Sequence, residues 1–208
     1  MKTKGVIFDL DGTLYDNSAL PAKLILYNIF HLRMLYSERI EHLHMSGRYY
    51  GPDRPFDELL KRISMKTGNG LYQVKKWYLK TYMPSQVKAL RKYHHSKPWV
   101  LPLLKELKSK GIKLACFSEY ICVGEKLSAL GIDPALFDVV TDASSAGGLK
   151  PCRRSFEAVA NAMGLAPSEI IVVGDREDTD GAGAEAANMK FELVPKADFP
   201  APKLPIED

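Results

Sequence analysis

The apolar positions of this chain follow two rhythms. Short, nearly unbroken apolar runs occur at Gly5 to Phe8, Ile112 to Phe117, Phe137 to Thr141, Ile170 to Val173 and Phe191 to Val194. Such runs are what a parallel strand buried on both faces requires, because neither face alternates with solvent. Helical stretches separate the later runs: Pro102 to Lys110, Glu125 to Leu130 and Pro151 to Met163, closing on Gly111, Gly131 and Gly164. Proline opens a helix where its missing N–H is not needed, and glycine closes one because it accepts a left-handed backbone. Strands alternating with helices predict an α/β fold, a doubly wound, Rossmann-like parallel sheet with right-handed crossovers. Its ligands are expected at the carboxyl ends of the strands.

Residues 16–97 break that alternation. Helix-like segments fall near residues 19–45, 55–66, 71–82 and 84–95, and no strand pattern interrupts them. This predicts an inserted all-helical domain over 16–97, with a core made of 1–15 and 98–208. The joints are the polar stretch Tyr15-Asp16-Asn17-Ser18 and the pair Lys97-Pro98. Trp77, Tyr78 and Tyr82 lie at helical spacing and read as packing. The tail Phe199-Pro200-Ala201-Pro202-Lys203-Leu204-Pro205 reads as irregular and superficial.

Composition narrows the functional classes. Among 208 residues, 46% are hydrophobic and 26% charged, the balance of a globular protein. No apolar run approaches the roughly 18 residues of a membrane helix. The three cysteines, Cys116, Cys122 and Cys152, have no metal-ligand spacing and suit a reducing, cytoplasmic setting. The net charge of +4 does not by itself point to a nucleic-acid partner. Its distribution is uneven: residues 16–97 carry fifteen Lys or Arg against six Asp or Glu, while the remainder is acidic on balance.

The chemistry concentrates where apolar runs end. Asp9-Leu10-Asp11-Gly12-Thr13 places two carboxylates two residues apart at the end of the first run. An ionised carboxylate can attack phosphorus without first losing a proton, and a second carboxyl can protonate the leaving alcohol and then deprotonate water. Gly12 permits a tight turn and Thr13 offers a hydroxyl donor. A calcium loop also begins Asp-x-Asp, but its fifth and sixth positions are here Thr13 and Leu14, which do not fit. A second acidic group, Asp175, Glu177, Asp178 and Asp180, follows Val173-Gly174 and offers oxygen ligands suited to magnesium. Ser118 ends a third apolar run, and Lys150 stands before Pro151, where an ammonium can neutralise an anion.

In this order the four segments resemble the signature of the haloacid dehalogenase-like hydrolases. The matches are Asp9-Leu10-Asp11-Gly12-Thr13, Ser118, Lys150-Pro151, and Gly174-Asp175 with Asp180. The resemblance implies a Mg2+-dependent phosphatase acting on a small phosphorylated metabolite through an aspartyl phosphate. Asp9 would be nucleophile and metal ligand. Asp11 would be the general acid and base, with its backbone carbonyl on the metal. Thr13, Ser118 and Lys150 would bind the phosphoryl group. Asp175 would ligate the metal, and Asp180 rather than Asp178 would support it. The inserted helices would form a cap over the site. Glu119 departs from the pattern, since many relatives carry Asn after the motif-two serine.

Asp11 separates a phosphate-ester hydrolase from dehalogenases and phosphonate-cleaving relatives, which do not need that carboxyl as an acid. A sugar phosphomutase using the same intermediate is the alternative activity, and a non-catalytic scaffold the alternative class. The oligomeric state is not legible. For selectivity, the turn-rich Ser46-Gly47-Arg48-Tyr49-Tyr50-Gly51-Pro52 segment offers Arg48 for a second anionic group and Tyr50 for a ring or sugar. His42, His44, His94 and His95 read as surface or core residues rather than metal ligands.

Overall fold

Gly5-Val6-Ile7-Phe8 forms β1 (Gly5–Phe8), and all four residues are buried. In the computed structural model, which describes residues 2–194 and 201–206, this strand is the middle of a five-stranded sheet. The others are β2 (Lys113–Ser118), β3 (Val139–Asp142), β4 (Ile170–Gly174) and β5 (Lys190–Leu193). The order is β3-β2-β1-β4-β5, and every pairing is parallel. The chain therefore starts at the centre, winds outward through β2 and β3, and returns beside β1 as β4. That reversal opens a crevice at the carboxyl ends of β1, β2 and β4.

Register decides which residues meet in that crevice. Phe8 is level with Cys116 on one side and Val173 on the other. Asp9, Ser118 and Asp175 therefore leave the sheet within two residues of one line. The helices that connect the strands are those the glycine stops predicted, with one shift. The helix after Lys150 runs Arg153–Met163, so Pro151 and Cys152 precede it rather than open it.

Residues 16–97 hold five helices: α1 (Leu20–Tyr27), α2 (Leu32–Met45), α3 (Arg54–Thr67), α4 (Leu71–Trp77) and α5 (Met83–Tyr93). The core helices follow as α6 (Val100–Ser109), α7 (Val123–Ala129), α8 (Arg153–Met163) and α9 (Ala182–Ala186). The expected single helix over 19–45 is broken at Asn28. Its amide donates to the Leu24 carbonyl at 2.9 Å and accepts from Trp77 Nε1 at 3.1 Å, so the side chain competes with the helix for backbone partners. From Leu71 to Tyr93 the helix is instead nearly continuous, widening to a π-turn over Tyr78–Tyr82 just before Pro84.

The inserted helices do not keep a core to themselves. Leu20, Leu24, Met45, Leu60 and Ile63 belong to the same buried cluster as Val6, Ile7, Phe8 and Phe117. Met45, Leu60 and Ile63 are fully buried, and a side chain of that kind contributes about 1.5–3 kcal/mol relative to exposure. Two backbone seams add to the packing. Tyr15 bridges Ser96, with the Lys97 N–H donating to the Leu14 carbonyl at 2.8 Å. The loop after α2 docks on the loop before Lys150, where the Tyr50 N–H donates to Gly147 O at 2.8 Å and Asp53 N–H to Ser144 O at 2.9 Å. The described tail, 201–206, has no regular structure; Lys203 and Pro205 are exposed as expected, whereas Pro202 is buried and Ala201, Leu204 and Ile206 pack against the core. Phe199 and Pro200 lie outside the described residues.

Candidate active site

Asp9 leaves the end of β1 almost fully buried, and each of its oxygens has a donor. Lys150 Nζ lies 2.7 Å from Oδ1, and Thr13 Oγ1 donates to Oδ2 at 2.9 Å. The same ammonium reaches Asp180 Oδ1 at 2.8 Å. Asp9, Asp175 and Asp180 each offer an oxygen, all within 4.8 Å of one another. Burial pushes the Asp9 carboxyl up to about 7, against the pull of Lys150 and helped by the charges of Asp180 and Asp11. Burial also raises Asp175 and Asp180. Lys150 is held well above its usual range: burial opposes its charge, but Asp180 and Asp9 outweigh it.

Two glycines make this crowding possible. Gly12 has φ 102°, and a Cβ there would run into the Asp175 carboxylate. A Cβ on Gly174 would occupy the space of the Asp180 side chain. Both backbones must therefore stay bare for the carboxylates to converge.

The fit to a divalent cation rests on the unmet demand in this cluster. Asp175 Oδ1 is buried with no hydrogen-bond partner, and the Lys150 ammonium bonds only two of the three converging carboxylates, Asp9 and Asp180. Oxygen donors of this kind suit Mg2+. Asp180 joins the cluster, whereas Asp178 is exposed and paired with Arg176 at 2.6 Å.

Asp11 faces the other way. Its Oδ1 accepts from Tyr15 Oη at 2.6 Å, and its Oδ2 from Ser118 Oγ at 2.9 Å and Lys126 Nζ at 3.3 Å. Burial opposes its charge, but Lys126 and the hydroxyl donors outweigh it and hold the carboxyl below its ordinary value. Its side chain is thus outside the metal-type cluster, which leaves only its carbonyl for a cation. Lys126 is fully buried, and Tyr15 is too. Neither was singled out from sequence: Lys126 reads as one helix lysine among many, and only the fold aims it at Asp11.

A haloacid dehalogenase-like hydrolase family model matches residues 3–188, nearly the whole chain. The chain belongs to the haloacid dehalogenase-like hydrolases. It is 31% identical over 197 residues to a glyceraldehyde 3-phosphate phosphatase of Methanocaldococcus jannaschii, covering 89% of this chain and 82% of that one. The enzyme of that name from Methanothermobacter thermautotrophicus is 32% identical over 200 residues, covering 92% and 85%. Among solved structures, a predicted phosphoglycolate phosphatase from Haemophilus somnus superposes with TM-score 0.60 at 25% identity, covering 92% and 84%. These findings and the site identify the chain as a phosphoric monoester hydrolase.

The hydrolase cleft, about 250 Å3, is lined by Arg39 and His42 of α2 and by Ser46 just after it, together with Asp9, Asp11, Lys150 and Asp175 of the core. His42 Nε2 lies 3.0 Å from Glu119 Oε1, and its Nδ1 lies 3.5 Å from Glu38 Oε1, an ion pair without hydrogen-bond geometry. Burial works against the imidazolium, but the two carboxylates raise it to about 10. Glu119 Oε2 accepts the Lys150 N–H at 3.1 Å, and Ser46 Oγ donates to the Lys150 carbonyl at 2.7 Å. The residue that departs from the family pattern is therefore a tie between cap and core. The unusual acid after Ser118 was the available signal for His42, and it did not say which residue would answer it.

Three further expected substrate binders have these surroundings. Thr13 is fully buried and its hydroxyl serves Asp9. Ser118 is fully buried and donates to Asp11. Arg48 is exposed on a loop whose backbone is docked on the core, and it does not line the cleft. The cap cations that do are Arg39 and His42, three residues apart on α2, of which Arg39 is itself exposed and His42 half-buried.

Proposed function

We propose that this hydrolase is a magnesium-dependent phosphatase of a small phosphorylated metabolite, working through an aspartyl phosphate on Asp9. The observation that carries the reading is the convergence of Asp9, Asp175 and Asp180 around Lys150 at the carboxyl end of the sheet, with Asp11 beside them on its own network. Asp9, the Asp11 carbonyl, Asp175 and Asp180 would hold the ion. When bound, Mg2+ supplies positive charge that offsets repulsion between a carboxylate and phosphoryl oxygens.

The chain's own groups account for the remaining steps. Lys150 and Thr13 hold Asp9 in one orientation, and a bound phosphoryl group competes for the Lys150 ammonium. An Asp9 oxygen forms the new bond to phosphorus as the bond to the alcohol oxygen breaks, and that oxygen takes a proton from Asp11. Water then attacks phosphorus, its proton returns to Asp11, and the bond to Asp9 breaks to free phosphate. Asp11 rests as a base, so it must take up a proton before the first step. The negative charge of an arriving phosphoryl group favours that uptake. Three unpaired thiols suit a reducing cytoplasm.

The curated relatives carry the name of a three-carbon ester, which makes glyceraldehyde 3-phosphate the first metabolite to assay. Release of inorganic phosphate from p-nitrophenyl phosphate, present with Mg2+ and absent with a chelator, is the direct test. No release from any monoester would overturn the reading. Isomerisation of a sugar phosphate without net release would replace it with the mutase.

A further inference from the structure

A second, larger cavity of about 550 Å3 opens off the cleft. The two share Asp11, Asn17, Arg39 and Tyr120, so they meet at the residue proposed to protonate the leaving oxygen. From there the second cavity runs between α1 and α2, walled by Leu20, Leu24 and Leu35. At its outer side stand Ile25, Leu32 and Tyr36, exposed by 53%, 45% and 67%.

Resting on the phosphatase reading, we propose that this cavity receives the alcohol part of the substrate, and that this part is a bulky, uncharged, mainly apolar body such as an aryl or long-alkyl group. Size is the first argument. A three-carbon body with its oxygens displaces about five waters, roughly 150 Å3 at about 30 Å3 each. A cavity of 550 Å3 instead falls in the range, about 300–1,000 Å3, of pockets that enclose drug-sized ligands.

Charge is the second argument. Of the described residues lining the cavity, Arg39 is the one cation, and it stands at the junction with the phosphoryl cleft. The carboxylates of Asp11 and Glu38 line the same space. A second anionic group on the leaving alcohol would meet them with no cation of its own. The wall chemistry is the third argument. Leu20 and Leu24 are buried in the cavity wall, and Ile25, Leu32 and Leu35 continue the apolar lining, so an apolar body gains from leaving water.

Non-hydrolysable phosphonates separate this inference from the catalytic reading. With Mg2+ present, calorimetry compares methylphosphonate, phosphonoacetate and 1-naphthylmethylphosphonate on the intact chain. The naphthyl compound is expected to bind tighter than either small one by about tenfold or more, from burial of its ring. Leu35→Trp, which fills the cavity, should draw that ratio toward one. Equal binding of the three, or a naphthyl preference untouched in Leu35→Trp, would overturn the proposal. If the preference is found but no phosphate ester is hydrolysed, the pocket stands and the phosphatase reading falls. If esters are hydrolysed with no gain for 1-naphthyl phosphate over glyceraldehyde 3-phosphate, the phosphatase stands and the pocket assignment falls.

Discussion

His42 of α2 holds Glu119 of the core at 3.0 Å, and the other oxygen of Glu119 accepts the backbone N–H of Lys150. One carboxylate thus ties the cap to the residue that contacts Asp9 and Asp180. The His42 carboxyl partners raise its pKa from 6.5 to about 10. A raised folded-state value means the contribution is fully present below the unfolded pKa and is lost as pH rises through the folded one. Urea unfolding should therefore show stability falling between about pH 6.5 and about pH 10 more steeply in the wild type than in His42→Gln. Parallel pH profiles in the two proteins would remove His42 from the tie.

Asp9→Asn should leave no measurable phosphate release, because an amide is a poor nucleophile and a weaker ligand. The fold should persist, since the substitution removes a buried charge from a crowded cluster while Lys150 keeps Asp180. Rapid quench of the wild type should trap phosphate on the peptide that contains Asp9. Full activity in Asp9→Asn would end the covalent mechanism.

Asp11→Asn should slow turnover by about 10²- to 10⁴-fold, the usual cost of losing a general acid–base. Its magnesium requirement should change little, because the Asp11 side chain points to Tyr15, Ser118 and Lys126 rather than into the acid cluster. A large rise in the magnesium concentration needed for half-maximal activity would place the carboxylate on the metal instead.

Gly12→Ala introduces a side chain at φ 102° and against Asp175. Strain of this kind costs about 1–3 kcal/mol, so thermal melting should fall by several degrees. Displacement of Asp175 should also raise the magnesium needed for activity. Unchanged magnesium dependence would mean that Asp175 is not part of the ion's site.

Arg39→Ala should raise KM for phosphate esters by about tenfold, in keeping with loss of a charged hydrogen-bond donor at the cleft. Arg48→Ala should leave KM unchanged, because Arg48, unlike Arg39, lines neither cavity. The reverse pattern would restore the loop after α2 as the selectivity element.

The sequence alone determined whatever depends on local pattern. Unbroken apolar runs can persist only where both strand faces are covered, so the buried strands β1, β2 and β4 were legible, and the alternation of strands with helices implied the parallel sense of the sheet but not its strand order. The acids at strand ends were legible for the same reason, because a buried strand leaves chemistry nowhere to go but its carboxyl end. The helical character of residues 16–97 followed from the missing strand pattern.

Which partner each side chain would find was decided only by the tertiary structure. Lys126 meets Asp11 across 115 positions and His42 meets Glu119 across 77, and no local periodicity encodes a meeting between distant segments. Thr13 and Ser118 were legible as donors but not as donors to Asp9 and Asp11, since a hydroxyl takes whichever acceptor the fold brings within reach. The choice of Arg39 over Arg48 turned on the rotation of α2 about its axis. That rotation follows the side chains α2 buries, Met34, Glu38, Glu41 and Met45 among them, and the seam to the Lys150 loop, a sum of weak contacts that exists only once the chain has closed on itself.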